Sequence, residues 1–268
     1  MSTSPESPVL LCIGGQDPSG GAGIQADAEA ARAAGVHACC VVSALTTQDS
    51  RRLHALGPQP PEQVDAQCRL ILADSPVGAI KLGLLGSSRI LRVLTAIADE
   101  RPELPLVLDP VLASSAGDPV TDAALLNQMR QNLIPRCTLI TPNLPEAQTL
   151  ASARAPEACA QRLLATGCPW VLITGTHAPE EAVINRLYGR DGTCEEWSWP
   201  RLPGEYHGSG CTLASAIAAR LALGREVLEA VAEAQAYTWE SLHRARRTGC
   251  GQLTPNRLFA LDPAEDPH

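Results

Sequence analysis

Five short segments of this 268-residue chain combine residue types that suit a charged, phosphate-like or heteroaromatic ligand. The first is Gly14-Gly-Gln-Asp-Pro-Ser-Gly-Gly-Ala-Gly23, placed between an apolar run and a helical pattern. Five of its ten residues are glycine, more than a tight strand-to-helix turn needs. Such a loop lets backbone N–H groups approach a ligand at a helix start. It ends in no Gly-Lys-Ser/Thr, so it is not a Walker A loop, and no G-x-G-x-x-G spacing fits it. The second segment, Gly208-Ser-Gly-Cys-Thr-Leu213, opens a long apolar-periodic helix. Free N–H groups of Gly208, Ser209 and Gly210 there could receive an anion or developing negative charge. Cys211 falls in the first turn, where a thiol pKa tends to drop. A plain helix start with a structural cysteine is the competing reading.

The third segment is Thr141-Pro-Asn-Leu-Pro-Glu146, directly after a strand pattern. Asn143 and Glu146 have capping-box spacing, which needs no function at all. The strand Val107-Leu-Asp-Pro-Val111 carries Asp109 at its carboxyl end. Open α/β sheets bind ligands outside those ends, so Asp109 and Glu146 could meet in one crevice. Two carboxylates with retained waters suit a Mg²⁺–nucleotide site. Taken singly, Asp109 reads equally as a strand-end turn residue and Glu146 as a cap. The fifth segment, Ser43-Ala-Leu-Thr-Thr-Gln48, brings Thr46 and Gln48 to the same edge. The Gln48 amide, donor and acceptor together, suits the rim of a heteroaromatic ring. His177 and His207 lack partners at ligand spacing and read as structural or incidental; Arg51-Arg52 and Arg244–Arg247 read as solvated faces.

Positioning these segments requires a sheet. Apolar runs at Val9–Ile13, Ala38–Val42, Ala79–Leu82, Leu106–Asp109, Thr138–Thr141 and Trp170–Thr174 predict strands. Amphipathic stretches at Ile24–Ala34, Glu62–Ala73, Ser88–Asp99, Asp122–Asn132 and Pro156–Ala165 predict the helices between them. That alternation predicts βαβ crossovers and a parallel sheet covered on both faces. Val183–Tyr188 and Thr193–Trp199 flank Gly189-Arg-Asp-Gly192 and predict a β-hairpin at a sheet edge. Helices over Ser209–Leu223 and Glu226–Arg244 follow, with Gly224 as the stop between them. One α/β domain over residues 9–260 is expected, with a disordered tail at 1–8 and a frayed one at 261–268.

Composition narrows the function classes. Hydrophobic residues are 45% and charged residues 19%, which supplies a core and excludes wholesale disorder. A net charge of -8 argues against a nucleic-acid or anionic-membrane binder. Of 21 basic residues 20 are Arg, and the one Lys is Lys81. No run approaches the ~20 apolar residues of a membrane span, and the start lacks a signal-peptide pattern. The ten Cys show no C-x-x-C and no zinc-finger spacing, so reduced thiols and a cytoplasmic location are expected.

Together the segments resemble the hydroxymethylpyrimidine/phosphomethylpyrimidine kinases of thiamine biosynthesis, in the ribokinase superfamily. The resemblance runs from about Val9 to Leu258 through GGQDPSGGAGIQAD (14–27), SALTTQDS (43–50), IKLGLLGS (80–87), VLDPVLASSAGD (107–118), LITPNLPEA (139–147) and HGSGCTLASAIAA (207–219). It implies a ribokinase-like three-layer α/β/α fold, ATP as co-substrate, Mg²⁺, and a homodimer. Gly15 and Asp27 would close a pyrimidine pocket, Gln48 would read the aminopyrimidine edge, and Leu84 and Val111 would wall it. Asp109 and Glu146 would organise Mg²⁺ and the triphosphate, with Asn143, Thr174 and Ser209 near the phosphates. Gly208, Gly210 and Cys211 would form the anion hole, Cys211 replacing the Asp base of sugar-kinase relatives. The expected activity is phosphorylation of 4-amino-5-hydroxymethyl-2-methylpyrimidine and of its monophosphate. Pyridoxal kinases share much of the pattern, and a non-catalytic pyrimidine-binding homologue is the other alternative. Two family lysines are absent, with Thr174 in TGTH and Ser115 in SSAGD at their places.

Overall fold

The structure is a computed structural model that describes residues 7–113, 117, 120–176 and 181–262. Ser115, His177 and all but the inner residues of both tails lie outside the described residues. Nine strands form one sheet: β1 (Val9–Gln16), β2 (His37–Gln48), β3 (Leu53–Pro58), β4 (Val77–Leu82), β5 (Leu106–Leu108), β6 (Leu139–Ile140), β7 (Trp170–Ile173), β8 (Ala182–Gly189) and β9 (Cys194–Pro200). The helices are α1 (Gly23–Ala33), α2 (Pro61–Asp74), α3 (Ser88–Glu100), α4 (Ala123–Gln128), α5 (Leu144–Ala151), α6 (Pro156–Leu164), α7 (Ser209–Ala222) and α8 (Val227–His243).

Strand order is β3-β2-β1-β4-β5-β6-β7-β8-β9, parallel from β2 through β7. Antiparallel pairs close both edges, β2 with β3 and β7–β8–β9 as the expected hairpin. Successive residues of β1 face opposite layers. Leu11 and Ile13 pack toward α2–α6, while Leu10 and Cys12 pack toward α1, α7 and α8. These are the three layers, helices on both faces of the sheet. All ten cysteines are free thiols, and no described helix is long and apolar enough to cross a membrane.

The structure departs from the expected elements at β3. The Leu53–Pro58 stretch shows no buried face, and its pairing with the tail of β2 rests on backbone hydrogen bonds. Apolar periodicity therefore carries no trace of it. The Asp122–Asn132 helix is also broken, α4 passing into a π-turn at Met129–Leu133 and then a 3₁₀ turn. Gly224, with φ 79°, ends α7 in the left-handed conformation that glycine adopts most readily.

The chain leaves β1 toward β2 on one side and returns to β4 on the other. This reversal of strand order is where open α/β sheets leave a crevice at their carboxyl ends.

Candidate active site

The carboxyl ends of β1, β2, β4, β5, β6 and β7 surround one cavity of about 820 Å³, large enough for two small substrates side by side. Gly15, Gln48, Leu84, Asp109, Val111, Asn143, Glu146, Thr174, Gly208, Ser209, Gly210 and Cys211 all line it. Residues from seven separate segments, six strand ends and the start of α7, thus meet in one space.

Asp27 is the exception. It does not line the cavity: it is wholly buried on α1, where its Oδ1 accepts from Lys81 Nζ at 2.7 Å and Ser215 Oγ at 2.6 Å. The helical register of α1 turns it inward, under the loop rather than into the pocket. Lys81 is the cavity residue here, buried in the floor with its ammonium held by Asp27. Burial alone would pull that ammonium down. The charge of Asp27, followed by Cys211 and Asp109, holds it above the ordinary lysine range. The sequence did contain a signal, a lone lysine inside the apolar run Ala79-Ile-Lys-Leu82.

The first glycine-rich loop is folded around Asp17. Its Oδ1 accepts from the Ser19 N–H and hydroxyl, and its Oδ2 from the Ala22 N–H at 2.9 Å. His207 Nε2 lies 2.7 Å from the same Oδ2, so the histidine read as incidental ties this loop to the second one. Burial favours neutral Asp17, but the His207 and Ser19 hydrogen bonds outweigh it and hold the carboxyl below its usual range. The two loops also interlock. A Cβ at Gly21 would sit 2.2 Å from the His207 ring, and one at Gly208 would sit 2.0 Å from the Gly21 carbonyl. Gly208 itself has φ 84°, so glycine is required there twice over.

The second loop delivers the N-terminus of α7 to the cavity, with Gly208 as its N-cap. Cys211 does not have the lowered pKa its place in the first turn suggested. Burial pushes the thiol up to about 12; the Lys81 charge pulls it down, but Asp109 and Asp27 add to the rise. Cys211 is therefore a resting thiol, and it acts on Asp109 to offset part of that carboxyl's rise. A Cβ at Gly210 would lie 3.8 Å from Asp109 Oδ1, which places the helix start against that carboxyl.

On the other side, Asn143 and Glu146 make the full capping box of α5. Glu146 Oε2 accepts from the Asn143 N–H at 3.0 Å and Oε1 from the Leu112 N–H at 3.4 Å. Structural and site roles coincide in this carboxyl. Burial, then the nearby charge of Asp109, raises Glu146 to about 8. Burial likewise raises Asp109, against the pull of Lys81 and the Cys211 thiol. Two carboxyls that repel each other's ionisation are a donor set for a divalent cation. Among the described residues no group of three His, Cys, Asp or Glu side chains forms a metal cage. The pair therefore fits Mg²⁺ with its remaining positions filled by water and phosphate oxygens, rather than a cation held by protein alone.

Thr174 bridges Asn143 through backbone pairing and stands in the same wall. Beyond it the cavity extends to Asn185, Trp199, Gln235, Thr238 and Leu242. Gln235 Oε1 accepts from Asn185 Nδ2 at 2.8 Å and Trp199 Nε1 at 3.2 Å, which fixes the amide's orientation. Gln235 Nε2 and Thr238 Oγ1 have no hydrogen-bond partner among the described residues although both residues are buried.

With this geometry in place, similarity to known proteins is informative. The phosphomethylpyrimidine kinase family pattern matches residues 17–256. The hydroxymethylpyrimidine/phosphomethylpyrimidine kinase of Mycobacterium tuberculosis is 40% identical over 264 residues, covering 95% of each chain. The Escherichia coli enzyme of the same description is 34% identical over 244 residues, 88% of this chain and 91% of its own. Among solved structures, an ADP complex of Bacillus subtilis pyridoxal kinase superposes with a TM-score of 0.87 at 28% identity, covering 96% and 100% of the two chains. Phosphomethylpyrimidine kinase from Clostridium difficile gives 0.77 at 30% identity, covering 88% and 100%. The fold is the one shared by these vitamin kinases, and the extent of the sequence match decides between them: the chain belongs to the phosphomethylpyrimidine kinase family.

Proposed function

We propose that the protein transfers the γ-phosphoryl group of ATP to the hydroxymethyl oxygen of 4-amino-5-hydroxymethyl-2-methylpyrimidine, and then phosphorylates the resulting monophosphate, in thiamine biosynthesis. One observation carries this reading. A neutral, heterocycle-sized wall of Gln48, Leu84 and Val111 and a charged wall of Asp109, Glu146 and the α7 N-terminus face the same cavity.

In this reading Gln48 hydrogen-bonds the aminopyrimidine edge, and Leu84 and Val111 cover the ring faces. A Cβ at Gly15 would lie 2.8 Å from Leu84 Cδ2, so any side chain there would displace the Leu84 methyl from the pocket wall. The backbone N–H groups at Gly208–Cys211 receive the transferred phosphoryl oxygens, a role typically worth ~3–4 kcal/mol per donor in the barrier. That exceeds the ~0.3–1 kcal/mol of a helix-dipole interaction, so the discrete N–H groups dominate. Asp109 and Glu146 hold Mg²⁺, which when bound neutralises charge on the triphosphate. Cys211 Sγ takes the hydroxyl proton while its own proton passes to Asp109, so sulfur stays neutral at both ends of the step. A loose transition state loses that proton late and does not demand a resting thiolate. Gln235 Nε2 and the Thr238 hydroxyl, unpartnered among the described residues, offer hydrogen bonds to the nucleobase at the far end. Asn143, Thr174 and Ser209 line the stretch between, where the triphosphate would run.

Thr174, in the place of a family lysine, and the likeness to pyridoxal kinases support a second reading, phosphorylation of a B6 vitamer. A turnover panel with Mg·ATP separates the two. Release of ADP with the pyrimidine and its phosphate, and little with pyridoxal or pyridoxine, is the expected result. The reverse order moves the assignment to B6. No turnover with either, together with retained pyrimidine binding, would make the chain a binding protein.

A further inference from the structure

We infer that Arg257 is a positioning residue for phosphoryl transfer, clamping the two glycine-rich loops to each other from behind the cavity. The inference rests on the kinase reading above. Arg257 is 1% exposed, one of the largest fully buried side chains among the described residues. Its fork is shared between the two loops. Nη1 donates to the Gly20 carbonyl at 3.4 Å and to Glu29 Oε2 at 3.0 Å, and Nη2 donates to the Gly21 carbonyl. Nε donates to Thr212 Oγ1 at 2.8 Å, and that hydroxyl donates onward to the Gly208 carbonyl at 2.8 Å. One planar group thus fixes carbonyls at Gly20, Gly21 and, through Thr212, Gly208.

The contact leaves no slack. A Cβ at Gly208 would come within 2.0 Å of the Gly21 oxygen and 2.9 Å of Arg257 Nη2. The first loop borders the acceptor pocket through Gly15, Ala22 and Gly23, and the second provides the anion hole through Gly208–Cys211. The distance between acceptor oxygen and anion hole is therefore set by how the loops seat on each other, and Arg257 joins them from behind while the His207–Asp17 contact joins them on the cavity side. A lysine could keep the charge but not the fork, because its ammonium is a point donor without the planar geometry. Arg257 also lies one residue beyond the 17–256 span of the family pattern, so this clamp is read from the geometry of this chain.

A clamp of this kind acts on alignment rather than on either binding surface. In the full-length protein, turnover of Arg257→Ala should fall roughly ten- to hundred-fold in kcat, while KM for pyrimidine and for ATP each shift less than about threefold. Arg257→Lys should show most of the same loss. Exogenous guanidinium at low, non-denaturing concentration has a route to the vacated space, since Arg257 lines a second cavity of about 540 Å³ with Arg32, His37, Tyr237 and Phe259. It should raise kcat of Arg257→Ala at least about threefold without raising its Tm, and leave the wild type unaffected. Rescue that merely tracks Tm, or a loss expressed in KM, would make Arg257 an ordinary structural residue. Should Arg257→Ala fail to fold, a folded Arg257→Lys with wild-type kcat sinks the inference by itself. Wild-type turnover in the same assay separates these outcomes from failure of the kinase reading, which would show as no turnover in any variant.

Discussion

Two pairs of buried charges stand side by side at this site and are balanced in opposite ways. Lys81 and Asp27 form a closed pair, opposite charges 2.7 Å apart with the ammonium held in its charged form. Asp109 and Glu146 form an open pair, like charges whose carboxyls are both raised by burial and, for Glu146, by the neighbour. The closed pair needs nothing from outside and belongs to the fold. The open pair is complete only with a cation, and belongs to the ligand. Cys211 sits between them, its thiol pulled down by Lys81 and pushed up by Asp109 and Asp27. The sole lysine of an arginine-rich chain is the cationic member of the closed pair. A Cβ at Gly83 would lie 2.8 Å from Lys81 Nζ, so the glycine there keeps the space beside the ammonium open.

Opening the closed pair should have the largest effect. Lys81→Met strands the Asp27 carboxyl, whose Oδ2 already lacks a hydrogen-bond partner among the described residues. Breaking a buried pair in this way typically costs ~3–5 kcal/mol, so a large drop in the denaturation midpoint is expected. The double variant Lys81→Met/Asp27→Leu should recover much of that loss. A Lys81→Met protein as stable as the wild type would show that the pair is not closed.

Cys211→Ala tests the group between the pairs. Turnover should fall roughly a hundred- to a thousand-fold, comparable to losing an anion-hole donor, with little change in pyrimidine affinity. Comparable losses in kcat and affinity would place the thiol in substrate binding instead.

The open pair should reveal itself as a pH slope. Glu146 titrates from 4.5 when unfolded to about 8 in the metal-free fold, so between those values the folded state binds more protons. Its contribution to stability is complete below 4.5 and is lost as pH rises toward 8. Metal-free protein should lose stability over that window by less than ~1.4 kcal/mol per pH unit, one group's worth. Glu146→Gln should flatten the slope, and Mg²⁺ with a nucleotide should restore stability to the wild type only. A wild-type slope unchanged by the substitution would assign the titration elsewhere.

The legible part of the site was local, and the illegible part was long-range. Gln48, Asp109, Glu146 and the Gly208–Cys211 turn stand at strand ends or helix starts, where periodicity places them without knowledge of partners. Strand β3 and the partners of buried charge are different. Lys81 meets Asp27 across 54 residues, Asp17 meets His207 across 190, and Arg257 meets Glu29 across 228. No window of sequence contains both members of such a pair. Asp27 illustrates the cost: its motif pointed to the pocket, while its place on α1 turns it to Lys81. For Lys81 the apolar strand around it at least signalled that a partner must exist. Arg257, in the irregular Thr254-Pro-Asn-Arg257 stretch, carried no such signal.

The smallest expected effect lies at the uncharged wall and marks where the comparison of charge pairs stops applying. Gln48 ends β2 opposite Leu53 of β3 and is partly exposed in the cavity wall, so its amide needs no protein partner to stay satisfied. Gln48→Ala should therefore leave stability almost unchanged. With the pyrimidine bound, the ring's polar edge would face an alanine and lose its partner, a penalty of ~1–3 kcal/mol. The expected result is a raised KM for the pyrimidine, an ATP KM near the wild-type value and a largely retained kcat, the signature of uniform binding. If the pyrimidine KM does not move, the amide does not read the ring, and the heterocycle must be held by Leu84, Val111 and the loop backbone alone. A fall in kcat at constant KM would instead extend the charged, transition-state side of the site as far as β2.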